Sequence, residues 1–321
     1  MSLNRLLLVA GALAGLVAAP ARAQEPAAPE PASLTVLLEW FVNPDHAPLV
    51  IAEELGYFEE AGLDVSLIAP SDPSAPPRLL AAGQADMAIH YQTTLYLDHA
   101  AGLPLKRFGT LVETPLNMIM VRADGPVETL ADLRGKRIGY SVSGFEEVMV
   151  STMLASQGLE PDDIEFINVN FALSTSLLSG QVDAVAGAYR NFEMTQIRLA
   201  GGEGRGFFPE ENGVPPYDEL IYVTRDDLIN DPRLPRFLDA VEKATLYLTN
   251  HPQEAWEAYA SAYPDLDDEL NRQAFTDTLP RLAKRPGALD TRRYERFGQF
   301  LEDAGLLDTA PAVGEIAVEL R

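Results

Sequence analysis

One strand–helix grammar is written twice in this chain. Leu79-Leu80-Ala81-Ala82-Gly83-Gln84-Ala85-Asp86 is echoed about 100 residues later by Leu177-Leu178-Ser179-Gly180-Gln181-Val182-Asp183. The β-rich run Asp64–Ile68 has its counterpart at Ile164–Val169, and Leu34–Trp40 at Lys136–Ser141. Three elements displaced together in one order describe a duplicated unit; the Gly-Gln-x-Asp match alone carries little. Between these runs, Pro48–Glu60 places Leu49, Ala52, Leu55 and Phe58 at helical spacing and stops at Gly62. Pro70–Pro77 is a proline-rich loop, Arg78–Ala82 a short helix and Ala85–His90 a third strand. This alternation predicts an α/β fold: a largely parallel, Rossmann-like sheet in each of two lobes, with helices on both faces.

After the second copy, Gly201–Tyr217 is rich in turn residues, Leu220–Val223 is one more strand, and helical patterns follow to Leu306. A lone strand has no sheet of its own, so it is expected to return to the first lobe. The chain then crosses between lobes twice, near Arg122–Asp124 and near Pro215–Tyr217. Lobe 1 is expected at 34–121 plus 218–321, and lobe 2 at 122–217. Two crossings make a hinge, and hinged lobes close on a small ligand. At the amino end, Arg5 precedes the apolar run Leu6–Ala19, Pro20 closes it, and Ala21-Arg22-Ala23 offers small residues for cleavage. Residues 1–23 therefore read as a signal peptide, too short for a spanning helix of about 20 residues, and 24–33 as a flexible leader.

Forty-eight acidic residues against 24 basic ones give a net charge of −24, which repels nucleic acid and anionic bilayers. With no cysteine there are no disulfides, thiolate metal sites or cysteine nucleophiles. The 4 histidines form no His-Glu-x-x-His pattern, and there is no Gly-x-Ser-x-Gly elbow or glycine-rich phosphate loop. A non-enzymatic protein without metal or cofactor is expected.

Ligands of open α/β sheets sit at the carboxyl ends of the strands. Four segments qualify: Trp40–His46, His90–Gln92, Ser141–Glu146 and Ala188–Glu193. Trp40, Tyr91 and Tyr189 stand at strand ends, where they either join the core or hold a flat ring by stacking. Ser143-Gly144-Phe145-Glu146 matches a capping box, with Ser143 as N-cap and Glu146 reaching back, and its glycine turn would also offer N–H donors to a ligand. Glu193 is suited to an amine or a protonated ring nitrogen; a salt bridge with Arg190 or Arg198 is its structural alternative. Asn43 and Asn191 can both donate and accept, or cap turns. His46 is either a polar contact or a helix-start residue.

These residues carry a resemblance. Leu37-Leu38-Glu39-Trp40 with Asn43 and His46, then Glu54-Leu55-Gly56-Tyr57-Phe58-Glu59-Glu60-Ala61-Gly62-Leu63-Asp64-Val65, resembles the opening of solute-binding proteins for thiamine pyrimidine precursors, the periplasmic components of ABC importers. It continues through Gly83-Gln84-Ala85-Asp86, Tyr91-Gln92, Gly135–Tyr140, Gly187–Glu193 and Tyr217–Tyr222. The Gly-Tyr-Phe and Gly-x-x-Asp elements are shared with importers of nitrate and sulfonates; Tyr189-Arg190-Asn191-Phe192-Glu193 with Trp40, Asn43 and His46 is the more specific part. The resemblance implies a type II periplasmic binding protein, monomeric, delivering a formylated or hydroxymethyl aminopyrimidine to a permease and its ATPase. Trp40 and Tyr189 would stack on the ring, Glu193 would meet the exocyclic amine and a ring nitrogen, and Asn43, Tyr91 and Ser143 would complete the polar edge. A sulfonate or nitrate cargo would instead need an inward cation such as Arg190. The chain is also similar to a fungal enzyme that builds the thiamine pyrimidine from pyridoxal phosphate and its own histidine, at the position of His46. Val214–Val223 stands where that enzyme has a cysteine-rich segment and holds none, which argues against the activity.

Overall fold

Two five-stranded sheets form the framework, and their orders match strand for strand. The first runs β2 (Leu63–Ile68), β1 (Ala32–Leu37), β3 (Met87–His90), β10 (Leu220–Arg225), β4 (Leu105–Val112). The second runs β7 (Glu165–Asn168), β6 (Arg137–Tyr140), β8 (Ala184–Tyr189), β5 (Asn117–Arg122), β9 (Gly204–Phe207). Strands β1, β2 and β3 pair in parallel, as do β6, β7 and β8. These are the repeated elements of the sequence. The computed structural model describes residues 31–320, except for the side chain of Phe145. The expected signal peptide and the leader up to residue 30 lie outside the described residues.

Each sheet takes its fourth strand from beyond a crossing. β10 pairs antiparallel with β3 and β4, and β5 pairs antiparallel with β8 and β9, so both sheets are mixed rather than purely parallel. β5 also corrects the first expected crossing. The chain leaves the first sheet between Val112 and Asn117, not near Arg122–Asp124, because the apolar run Met118–Val121 fills the slot beside β8 and is buried there. The return lies between Phe207 and Leu220. Two smaller differences are local. β1 begins at Ala32, inside the expected leader, and ends at Leu37, which frees Trp40 from the sheet. The expected helix Pro48–Glu60 is two, Ala47–Glu54 and Tyr57–Glu60, because Gly56 adopts φ +73° between them.

Glu219 ties the two crossings together. Its Oε2 accepts the N–H groups of Leu116 (2.6 Å) and Asn117 (3.0 Å), and the residue is only 2% exposed. The helix Arg233–Asn250 buries Phe237, Val241, Ala244 and Leu248 on one face, with Phe237 stacked on Phe58 at 5.5 Å. The helix Glu269–Thr278 touches both the Pro44–His46 turn of the first lobe and the Glu193–Leu199 helix of the second. Among the described residues no helix is long and apolar enough to cross a membrane.

Candidate functional site

A cavity opens where the carboxyl edges of the two sheets face each other. The segment after β1 supplies Glu39, Trp40, Asn43 and Asp45, and the segment after β3 supplies Tyr91, Thr93 and Thr94. From the second lobe come Ser141, Val142 and Glu146 after β6, Gly187 and Tyr189 at the end of β8, and Phe192 and Glu193 beyond it. Asn117, Leu173 and Glu219 complete the wall. Of the expected site residues, Trp40, Asn43, Tyr91, Tyr189 and Glu193 share this cavity.

His46, Ser143, Gly144 and Asn191 do not line it. The imidazole of His46 is fully buried behind Glu39: its Nε2 lies 3.0 and 3.1 Å from the two carboxylate oxygens, and its Nδ1 accepts the Asn43 N–H at 3.2 Å. Ser143 is exposed, and the N-cap is Gly144, at φ +105°, one residue later than the capping box predicted. The Gly144 N–H donates to Glu147 Oε2 (2.6 Å), not to the cavity. A one-residue shift turns a helix position by about 100°, so Glu147 takes the reach-back role and Glu146 swings inward. Asn191 is buried in a cross-lobe triangle, its Nδ2 donating to Asp45 Oδ1 and Thr278 Oγ1 at 2.7 Å each. Thr278 in turn donates to Asp45 Oδ1 at 2.7 Å.

Aromatic and acidic groups dominate the wall. The Trp40 ring meets Phe171 of the second lobe edge-on at 4.5 Å. Tyr189 donates its hydroxyl to Glu219 Oε1 (3.2 Å), and its N–H donates to Glu193 Oε2 (2.7 Å). Glu146 Oε2 accepts the N–H groups of Ser141 (2.9 Å) and Val142 (3.2 Å). Its Oε1 lies against Gly187, where an added Cβ would approach to 2.1 Å; glycine at φ +87° makes the notch that admits the carboxyl. Asn43 accepts the Asp45 N–H (2.8 Å), so its side chain shapes the turn as well as the wall.

None of the lining residues is lysine, arginine or histidine. Arg190 is held away from the cavity by Glu210 (2.6 Å) and the carbonyls of Leu116 and Asn117, and Arg198 meets Glu269. Burial pushes the carboxyls up and outweighs the hydrogen bonds they accept, the charge of His46 near Asp45 and the charge of Arg190 near Glu219: Asp45 to about 6, Glu193 and Glu219 to about 7, and Glu146 to about 8. Such groups, part protonated near neutrality, can donate as well as accept hydrogen bonds. Among the described residues no group of acidic or histidine side chains is arranged to hold a metal ion. Glu39, Glu146 and Glu219 escape the sequence: the first looks like a strand residue, the second like a cap, and the third meets its partners over a hundred positions away.

Comparison with known proteins places this geometry. A Haemophilus influenzae protein named for thiamine biosynthesis is 49% identical over 289 residues, 90% of this chain and 92% of its own length. The formylaminopyrimidine-binding protein of Halalkalibacterium halodurans is 29% identical over 294 residues, 89% of each chain. An enzyme named 4-amino-5-hydroxymethyl-2-methylpyrimidine phosphate synthase, from Candida albicans, is 28% identical over 254 residues, 75% of each. In fold, the alkanesulfonate-binding protein of Xanthomonas axonopodis pv. citri superposes with a TM-score of 0.71 at 18% identity, covering 91% of this chain and 99% of its own. The architecture is thus that of periplasmic binding proteins. The family model described as NMT1/THI5 like matches residues 43–255, and the chain belongs to that family.

Proposed function

We propose that this protein is the solute-binding component of an ABC importer, capturing an aminopyrimidine thiamine precursor, formylaminopyrimidine or hydroxymethylpyrimidine, and handing it to a permease and its ATPase. With this reading goes export to the periplasm through the expected amino-terminal signal, which the periplasmic-binding-protein fold supports. The observation that carries this proposal is the cavity itself, in which Trp40 and Tyr189 offer ring platforms beside buried acids while Arg190 is engaged elsewhere. Ligand contacts drawn from both lobes favour the closed state, because only closure makes all of them at once. A sulfonate or nitrate would meet carboxyl groups and no cation. The relative named as binding formylaminopyrimidine supports the cargo.

The synthase alternative is disfavoured by His46 and by the wall. An imidazole with both nitrogens engaged and no exposure cannot reach a cavity ligand, and the phosphate of pyridoxal phosphate would face an acidic lining. These residues do not fit that cofactor. Titration calorimetry tests the proposal: an aminopyrimidine precursor should bind at micromolar Kd or tighter, with no heat from an alkanesulfonate or nitrate, and Glu193→Gln should weaken binding at least ten-fold. The reverse ligand preference overturns it.

A further inference from the structure

Each ring platform of the cavity is packed by the opposite lobe. Trp40 leaves the first sheet beyond β1, yet it lies against the apolar cluster of the second lobe, which includes Met118, Val169, Leu173 and Ala188. Tyr189 ends β8 of the second sheet, yet it lies against the apolar cluster of the first lobe, and its hydroxyl is tied to Glu219 at 3.2 Å.

The seat of Trp40 depends on one loop. Residues 169–172 join β7 to the helix Leu173–Leu178, and three hydrogen bonds set their shape. The Asn170 N–H donates to Asn168 Oδ1 (2.9 Å), the Ala172 N–H to the Val169 carbonyl (2.9 Å), and the hydroxyl of Ser141, a cavity-wall residue, to the Asn170 carbonyl. Asn170 stands at φ +51°, the one non-glycine residue at positive φ among those described, in a region that asparagine tolerates. This turn sends Phe171 across to the first lobe, where its ring meets Trp40 edge-on at 4.5 Å and 68°, and Phe41 at 5.0 Å. Trp40 and Phe41 are themselves 5.2 Å apart. The trio runs from the cavity wall at Trp40 to the surface at Phe41, which is 45% exposed. Neither phenylalanine lines the cavity. An edge-to-face pair fixes the plane of a ring as well as its position, so what Phe171 contributes to binding passes through Trp40.

We propose that Phe171 is a positioning residue for the ligand: from the second lobe it sets the plane of the Trp40 ring, so that the stacking platform is complete only while the lobes are together, and the ligand leaves when this contact parts. This rests on the aminopyrimidine reading proposed above and deepens it, making release rather than capture the step that Phe171 governs.

Trp256, the other tryptophan, is buried against Tyr259 and Phe275, so Trp256→Phe leaves Trp40 as the sole indole. Stopped-flow fluorescence on that protein, with formylaminopyrimidine and 4-amino-5-hydroxymethyl-2-methylpyrimidine as probes, separates kon from koff. Phe171→Ala is expected to raise koff about five-fold or more with kon changed by less than about three-fold, and to raise acrylamide quenching of Trp40 in the ligand-free protein about two-fold or more. Phe171→Tyr, which keeps the ring, is expected to restore both. Unchanged koff, a loss carried by kon alone, unchanged quenching, or failure of Phe171→Tyr to restore them overturns the role of Phe171 and leaves the aminopyrimidine cargo standing. If neither probe binds, the cargo falls, and the quenching comparison alone decides the role of Phe171. Should the melting curve show that Phe171→Ala does not fold, Phe171→Leu, which keeps bulk without a ring edge, is held to the same thresholds.

Discussion

The two lobes contribute acids of different kinds to one cavity. Those of the first lobe face protein: Glu39 is locked to His46, and Asp45 is the corner of a triangle that reaches Asn191 in the second lobe and Thr278 on the bridging helix. Those of the second lobe, Glu146 and Glu193, are held by backbone N–H groups of their own loops. The first arrangement joins lobes; the second positions an acceptor for something that comes from outside. In the function proposed above, the contrast assigns closure to one edge of the cavity and recognition to the other, although both lobes follow the same strand order.

Gly187→Ala should strike hardest at the recognising edge. Its Cβ would press on Glu146 Oε1 at a backbone angle that alanine resists, so a loss of about 2 kcal/mol of stability and at least 100-fold in ligand affinity is expected from melting and calorimetry. Wild-type affinity in this variant would break the contrast.

Asn191→Ala sharpens it from the other side. The triangle loses its link across the lobes while Asp45 keeps Thr278, so binding should weaken about ten-fold, on the order of 1–2 kcal/mol, with no change in which ligand is preferred. Altered preference would mean that Asn191 recognises ligand after all.

A smaller effect is a pH dependence of the empty protein. Asp45, Glu146, Glu193 and Glu219 have folded-state pKa values raised by burial, so between the ordinary carboxylate range, about 4.5, and about 8 the folded state holds protons the unfolded chain has released. That stabilisation is complete below the unfolded pKa and is lost as pH rises through the folded one. The melting temperature should therefore fall by about 4 °C or more between pH 5 and 8. Glu146→Gln should flatten much of the slope and Asp45→Asn less, since Asp45 is raised only to about 6. A flat wild-type profile would sink the account.

Trp40, Tyr91, Tyr189 and Glu193 are legible because each stands at or just beyond the carboxyl end of a strand, and strand ends face the cleft in this class of fold. The duplicated strand order was legible for a similar reason: hydrophobic runs and glycine stops are local signals. Glu146 and Ser143 were misread by one helical position, since the choice of Gly144 as the start of the helix depends on how the loop leaves β6. β5 was misplaced because its sequence is a buried strand in either sheet, and only its neighbours decide which.

The sequence by itself determined two α/β units, the strand ends that line the cavity and the aromatic character of that lining, because these follow from short-range periodicity and turn chemistry. Only the tertiary structure decided which acids face the cavity, that Arg190 is spent on Glu210, and that Glu219 staples both crossings. Charge and burial at a site are sums over partners far apart along the chain, and those partners become neighbours only when the lobes pack.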